Sequence, residues 1–278
     1  MRRCEFCDSP VPADATVCPI CKEKIAEETL ERILPLLKRP EAPDVRFMGP
    51  RERLWGVLRR PAPTYRDIAK KPDFVGPFLV ILINALVVAG MFLALSSKVT
   101  TLTIVNATSG ATVEGSVLAS PHGTIFYLTA LSGIVASIML GLLYLIVGGA
   151  FAHLAFKLTG GTGNKAKTFS VVGYSILPVV LMRLVGVVVI LVGMPVYPGV
   201  VDFYASGAIA TITPDIVNWA YTSGVWGIID MMTTASFAWV GYLLIFGIRE
   251  AHGTSTGWAV VVSLLCMIVL GWTFWQVH

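Results

Sequence analysis

Charge is scarce in this chain. Asp, Glu, Lys and Arg make up 14% of its 278 residues, against 55% hydrophobic. Soluble domains carry nearer a quarter charged residues, so the scarcity excludes an ordinary soluble globular protein and points to lipid. The formal net charge of +4 is too small for a nucleic-acid binder, and no specific nucleic-acid partner is expected. Cysteine is nearly absent beyond position 21: four of the five lie at or before it, and the fifth, Cys266, stands in the last apolar run. Met1-Arg-Arg-Cys-Glu lacks the apolar core and cleavage site of a signal peptide, so the first span is expected to act as the insertion signal. Catalytic signatures are missing as well. There is no His-Glu-x-x-His, no phosphate-binding loop and no pair of membrane aspartates. Ala130-Leu-Ser-Gly133 and His153 hold the parts of a serine dyad, but Ser132 and His153 are 21 residues apart on one span. At helical rise that is about 32 Å, far beyond a hydrogen bond. No enzymatic activity is expected.

What the chain has in abundance is long apolar runs between about Phe74 and Val277. About 20 apolar residues suffice to cross a bilayer's hydrocarbon core. Backbone in lipid must satisfy its own hydrogen bonds, so these runs are helices. Spans are expected over about 73–96, 120–158, 168–193, 213–252 and 257–276. Pro72 is read as a first helical residue. Ser120-Pro121 and Thr213-Pro214-Asp215 are read as helix starts, and Gly253 as a stop. The fold class is therefore an all-α polytopic membrane protein of five transmembrane helices with a small N-terminal four-cysteine zinc ribbon. Its segments are 1–24 (ribbon), 25–72 (connector and juxtamembrane basic segment) and 73–278 (membrane domain).

Basic residues set the expected orientation. Arg51, Arg53, Arg59, Arg60, Arg66, Lys70 and Lys71 precede span one, Lys157, Lys165 and Lys167 follow span two, and Arg249 precedes the last turn. The opposite loops hold only Lys98. The positive-inside rule then puts the N-terminus in the cytosol and the C-terminus outside. The outer loop 97–119 carries two β-prone runs around an Asn/Ser/Gly turn, a hairpin signal, and Asn106-Ala-Thr108 has the form of a glycosylation acceptor. Loop 194–212 reads as an ordered surface loop.

Cys4-Glu-Phe-Cys7 and Cys18-Pro-Ile-Cys21 are two Cys-x-x-Cys turns with ten residues between them. Each turn brings two thiolates to one ion, and together they complete a tetrahedral structural zinc site. So short a segment has no core of its own, and metal binding would supply its folding free energy, on the order of 10–16 kcal/mol. The site is read as a folded cap, with a module that docks a cytosolic protein or touches nucleic acid as its functional alternative. In the connector, Ile25, Leu30, Ile33, Leu34 and Leu37 fit one face of a short helix. Leu54, Trp55, Val57 and Leu58 stand among arginines, a pattern suited to lipid headgroups.

Four polar residues fall inside spans: Asn84, His153, Arg183 and Asp230. A charge at mid-bilayer normally has a partner. Arg183 and Asp230 lie at overlapping depths, so an ion pair between spans three and four is expected, with a proton or substrate relay as the alternative role. His153, near a span end, is read as an interface or packing residue. Gly133, Ser137 and Gly141 form a small-residue stripe that allows a second helix close. Packing within the chain is expected there, a homo-oligomer contact being the alternative.

Three stretches resemble the Ypt-interacting-protein (Yip) domain family. They are Arg60-Pro-Ala-Pro-Thr-Tyr-Arg-Asp-Ile-Ala69 with Pro72-Asp-Phe-Val-Gly-Pro77, then Gly160-Gly-Thr-Gly-Asn-Lys-Ala-Lys-Thr-Phe169 leading into Val172-Gly-Tyr-Ser-Ile-Leu-Pro178, then Gly247-Ile-Arg-Glu-Ala-His-Gly-Thr-Ser-Thr256. The likeness covers about residues 55–278 and leaves the ribbon outside. It implies a five-span domain, and by way of its eukaryotic relatives, which bind small Rab GTPases, a role in membrane trafficking or shaping. Two functions from different classes follow: an adaptor or membrane-organising protein with a ribbon docking module, or a small transporter or lipid-handling protein built on the inner polar groups.

Overall fold

A computed structural model describes residues 2–4, 7–11, 15, 17–22, 34, 47–106, 111–158, 160–203 and 208–277. Most of the connector expected to form a helix over Ile25–Leu37 lies outside them. The described chain is mainly helical. Its helices are α1 (Pro50–Arg59), α2 (Pro61–Lys70), α3 (Val75–Ser96), α4 (Gly123–Leu158), α5 (Lys165–Ser175), α6 (Leu177–Gly193), α7 (Ala208–Thr222), α8 (Gly224–His252) and α9 (Thr256–Val277). Its short strands are β1 (Arg2–Arg3), β2 (Pro10–Val11), β3 (Thr100–Asn106), β4 (Ala111–Ser116) and β5 (Val200–Val201).

Helix starts follow local chemistry. Pro50 and Pro61 open α1 and α2, where a missing N–H costs nothing. The Gly49 N–H donates to the Glu52 carboxylate at 3.2 Å. Asp73 Oδ1 accepts the Gly76 N–H at 3.1 Å ahead of α3, and Asn164 Oδ1 accepts the Lys167 N–H at 3.0 Å at the start of α5. Pro72 is therefore not a first helical residue; it sits between α2 and α3, because Asp73 supplies the cap. Span three is divided at Ile176, ahead of Pro178, into α5 and α6.

The stretch read as span four is two helices. Thr222-Ser-Gly224 interrupts it, and Ser223 Oγ accepts the Trp226 N–H at 3.1 Å as the cap of α8. Pro214 lies inside α7 rather than opening it. Four segments are long and apolar enough to cross a membrane: Val75–Ser96, Gly123–Leu158, Lys165–Gly193 and Gly224–His252. In α9, the fifth expected span, the apolar stretch Thr256–Trp272 is shorter.

Two compact units divide the chain. The first holds Met1–Val80, Gly141–Pro178 and Ser236–His278, and the second Ile81–Leu140 and Val179–Ala235. In the second, Ala94, Ile190, Met194, Ala220 and Ile229 bury one another. The expected hairpin is present as antiparallel β3 and β4. Loop 194–212 is more than a surface loop: β5 pairs parallel to β3, and Val201 packs with Val99 and Val117. Thr101 Oγ1 donates to the Val201 carbonyl at 2.8 Å, which ties that strand down. At Gly133 of the small-residue stripe on α4 an added Cβ would meet nothing within 4 Å, so among the described residues no helix of this chain packs closely there.

In the first unit α1 and α2 pack on each other and on α5. Val57 of α1, Tyr65 and Ile68 of α2, and Val171 and Tyr174 of α5 are fully buried. The expected apolar anchors of α1 thus turn inward: Val57 is core and Leu54 and Leu58 are half-buried, leaving Trp55 outside.

Candidate functional site

Two constellations in the first unit carry chemistry. The smaller is the cysteine cluster. Strands β1 and β2 pair Arg2 with Val11 and Arg3 with Pro10 beneath it. After each Cys-x-x-Cys the chain turns the same way. Asp8 (φ 54°) and Lys22 (φ 60°) are the described non-glycine residues with positive φ, and their N–H groups donate to the carbonyls of Cys4 and Cys18, each at 2.9 Å. The turns bring Cys4 Sγ to 3.6 Å from Cys21 Sγ, and Cys7 Sγ to 3.6 Å from Cys18 Sγ. All four ligand atoms lie within 4.8 Å of one another, and all four cysteines are free of disulfides. A tetrahedron with metal–sulfur bonds of 2.3 Å has edges of about 3.8 Å, so the four thiols fit one zinc-like ion. Cys7 is held near pKa 6, chiefly by its hydrogen bonding with Ser9. That favours the thiolate a metal requires.

The larger constellation is a buried polar junction, and sequence reasoning missed its centre. Arg53 is only 2% exposed. Its Nε donates to Asp67 Oδ2 at 2.8 Å, and its Nη1 pairs with Asp73 Oδ2. Burial disfavours its charge, but the two carboxylates outweigh that and hold it above the ordinary arginine range. Asp73 also accepts from Tyr174 Oη, at 3.2 and 3.1 Å to its two oxygens, and its carbonyl accepts from Ser170 Oγ. Tyr65 Oη donates to Ser175 Oγ at 2.6 Å, whose own proton goes to the Val171 carbonyl at 2.8 Å. Arg66 reaches Glu250 at 3.4 Å. A usable signal was present in the sequence: Asp67 and Asp73 are the only acids between Glu52 and Glu114.

Close approach completes the junction. A Cβ at Gly76 would overlap the Tyr174 phenol, and one at Gly247 would overlap Val171 and press on Tyr65. His153, read as a packing or interface residue, bonds through Nδ1 to Thr168 Oγ1 at 2.9 Å. The same hydroxyl is 3.0 Å from His252 Nε2. Turn Gly160–Gly163 folds over this histidine pair, its Thr162 N–H donating to the His252 carbonyl at 3.0 Å. The three stretches that resemble one family therefore meet in one place.

Of the remaining polar residues inside the spans, two meet in the second unit. Arg183 Nη1 donates to Asn84 Oδ1 at 2.8 Å. Asp230, the partner expected for Arg183, lies half-buried on α8, where its carbonyl accepts from Thr234 Oγ1 at 2.8 Å.

Comparison with curated proteins gave no match, and comparison with solved structures gave none. The family model of the Yip1 domain matches residues 55–276, which begins inside α1, runs through every long apolar helix and leaves the four cysteines outside. With most of its length in that match and four helices able to cross a bilayer, this chain is a multi-pass membrane protein that belongs to the Yip1 domain family.

Proposed function

We propose that the protein is a membrane adaptor or organising protein: a five-span body, N-terminus in the cytosol and C-terminus outside, carrying a zinc ribbon that docks a cytosolic partner. The ribbon is the observation that carries this reading. It stands outside the family match, and its four thiols lie close enough together to supply all four ligands of one zinc ion, which would leave no coordination position for chemistry. Its knuckle also presents apolar side chains outward: Val17 is 46% exposed and Ile20 66% exposed, flanking the buried Cys18. Exposed apolar groups on a rigid metal-fixed turn suit a protein contact. Metal analysis of the purified chain should find about one zinc per molecule, falling to background in Cys4→Ser/Cys18→Ser. A photocrosslinker at position 20 in cells should give discrete protein adducts that Val17→Ser abolishes. Adducts indifferent to both Val17→Ser and zinc removal would defeat the docking role. Reporters fused to each end should place the termini in opposite compartments; a shared compartment would remove the fifth span.

The Arg183–Asn84 bond favours a second reading, a small transporter or lipid-handling protein that includes an Arg183–Asp230 ion pair. Flux or lipid transfer in reconstituted vesicles, lost in both Arg183→Gln and Asp230→Asn, supports it. Activity unchanged in either variant argues against it.

A further inference from the structure

Helix α1 has two faces of opposite chemistry. Its inner face is locked: Val57 is buried in the core and Arg53 is held by Asp67 and Asp73. Its outer face reads Arg51, Trp55, Arg59 at four-residue spacing, one stripe of a helix, and all three are exposed. Trp55 is 58% exposed, and the Arg59 guanidinium lies 4.4 Å from its ring centroid. Just ahead of the helix Phe47 is 64% exposed, with the Lys71 ammonium 5.7 Å from its ring. Glu52 is the acid on this side, and its carboxylate accepts from the Gly49 N–H. The exposed charge is otherwise basic, with Lys70 and Lys71 adding to it.

The depth of this face is fixed by its neighbour. A cleft of about 320 Å³ is lined by Gly49, Pro50, Arg51 and Glu52 on one side and by Val75 and Leu79 of α3 on the other. The first turn of α1 therefore lies beside the first turn of a membrane-crossing helix. Phe74, Val75 and Phe78 are exposed there, the beginning of the surface that α3 turns to lipid. Phospholipid headgroups lie at the level where an apolar span begins. Indole rings favour that level, and each Lys or Arg held there gains from anionic lipid.

We infer that the outer face of α1 is a binding site for anionic phospholipid. Arg51 and Arg59 take the phosphate and charged headgroup, and Trp55 and Phe47 sit among the glycerol and upper acyl carbons. The cleft beside Val75 and Leu79 receives the first methylenes of a chain. The Arg53 latch makes the site rigid before lipid arrives, so little ordering is lost on binding. The site is independent of the ribbon and of any protein it docks.

The test uses the full chain in nanodiscs of phosphatidylcholine and phosphatidylglycerol, about two to one, extracted gently and read by native mass spectrometry. The wild type should retain phosphatidylglycerol over phosphatidylcholine. Arg51→Gln/Arg59→Gln should lower that ratio about thirtyfold, the product of about fivefold for each charge at the headgroups. Arg51→Lys/Arg59→Lys should restore most of it, and Trp55→Ala should reduce total retained lipid. Lys165→Gln/Lys167→Gln, in the first turn of α5, should leave the ratio within about twofold. Thermal midpoints of the surface variants should match wild type. The inference is overturned if the arginine-to-glutamine variant keeps the wild-type ratio, if the Lys165/Lys167 variant loses it equally, or if wild type shows no preference.

Discussion

The two units of this membrane protein are built on different interactions. The second is held by size: Ala94, Ile190, Met194, Ala220 and Ile229 fill one another's spaces, and its hairpin layer rests on three valines. The first adds buried polar contacts, with an Arg53–Asp67–Asp73 ion cluster, two buried tyrosines and a Thr168 hydroxyl between two histidines. The stretches that mark the family fall in the first. Apolar packing accepts many sequences of similar volume, whereas a polar junction fixes residue identity, because each buried donor needs its acceptor. Family resemblance was therefore readable where the chemistry is specific and thin where the chain is merely apolar.

The largest effect that would sharpen this contrast comes from Arg53→Met. It leaves the fully buried Asp67 with the Met48 N–H, at 3.3 Å, as its remaining hydrogen-bond donor. Breaking a buried ion pair from one side costs about 3–5 kcal/mol. Detergent-titrated unfolding of the full chain should show that loss, and Arg53→Met/Asp67→Leu should recover part of it. A loss below about 1 kcal/mol for the single change would mean that the junction is solvated and the contrast false.

Next comes the same question put to the second unit. Ile190→Ala opens a cavity in a site with no solvent exposure and should cost about 2–5 kcal/mol, while Ile190→Leu should cost less than about 1.5 kcal/mol. An equal penalty for both would mean that shape rather than volume is specified there.

A smaller pair compares close approach with open space. Gly247→Ala drives a methyl into Val171 and Tyr65 and should cost about 1–3 kcal/mol. Gly133→Ala meets nothing and should be neutral or stabilising by up to about 1 kcal/mol, since alanine is the better helix former. Destabilisation at Gly133 in the bilayer but not in detergent would reveal a second copy of the chain packed on α4.

Several features were legible before any coordinates. Two Cys-x-x-Cys turns announced a four-cysteine cluster because ligand spacing is local, and apolar run length announced membrane helices because bilayer thickness sets it. The hairpin of β3 and β4 was legible from two β-prone runs around an Asn/Ser/Gly turn. Breaks inside apolar runs were harder. Thr222-Ser-Gly224 ends one helix and caps the next, yet hydropathy averages over it. Arg53 was hidden by its company: among neighbouring arginines it looks like surface charge, and only the fold shows that it shares a face with Val57 and points at Asp67. Strand β5 has two residues and exists only because β3 is there to pair with it.

The smallest effect joins the two kinds of interaction in a single side chain. Tyr65 is packed like a core residue and bonded like a polar one. Tyr65→Phe keeps the ring and should cost about 0.5–1.5 kcal/mol near neutral pH, the net value of one hydrogen bond. Burial also holds the phenol above its ordinary pKa near 10, so the folded chain keeps this proton when the unfolded chain gives it up. Its contribution is complete below about pH 10 and then falls, by up to about 1.4 kcal/mol per pH unit, as the unfolded state ionises. Phenylalanine has no proton to lose. The stability curves of wild type and Tyr65→Phe should therefore run parallel up to about pH 10 and converge within about one unit above it. Curves that stay parallel to pH 11 would show that Tyr65 ionises as readily folded as unfolded, and the buried polar character assigned to the first unit would fail at the residue where α2 and α5 meet.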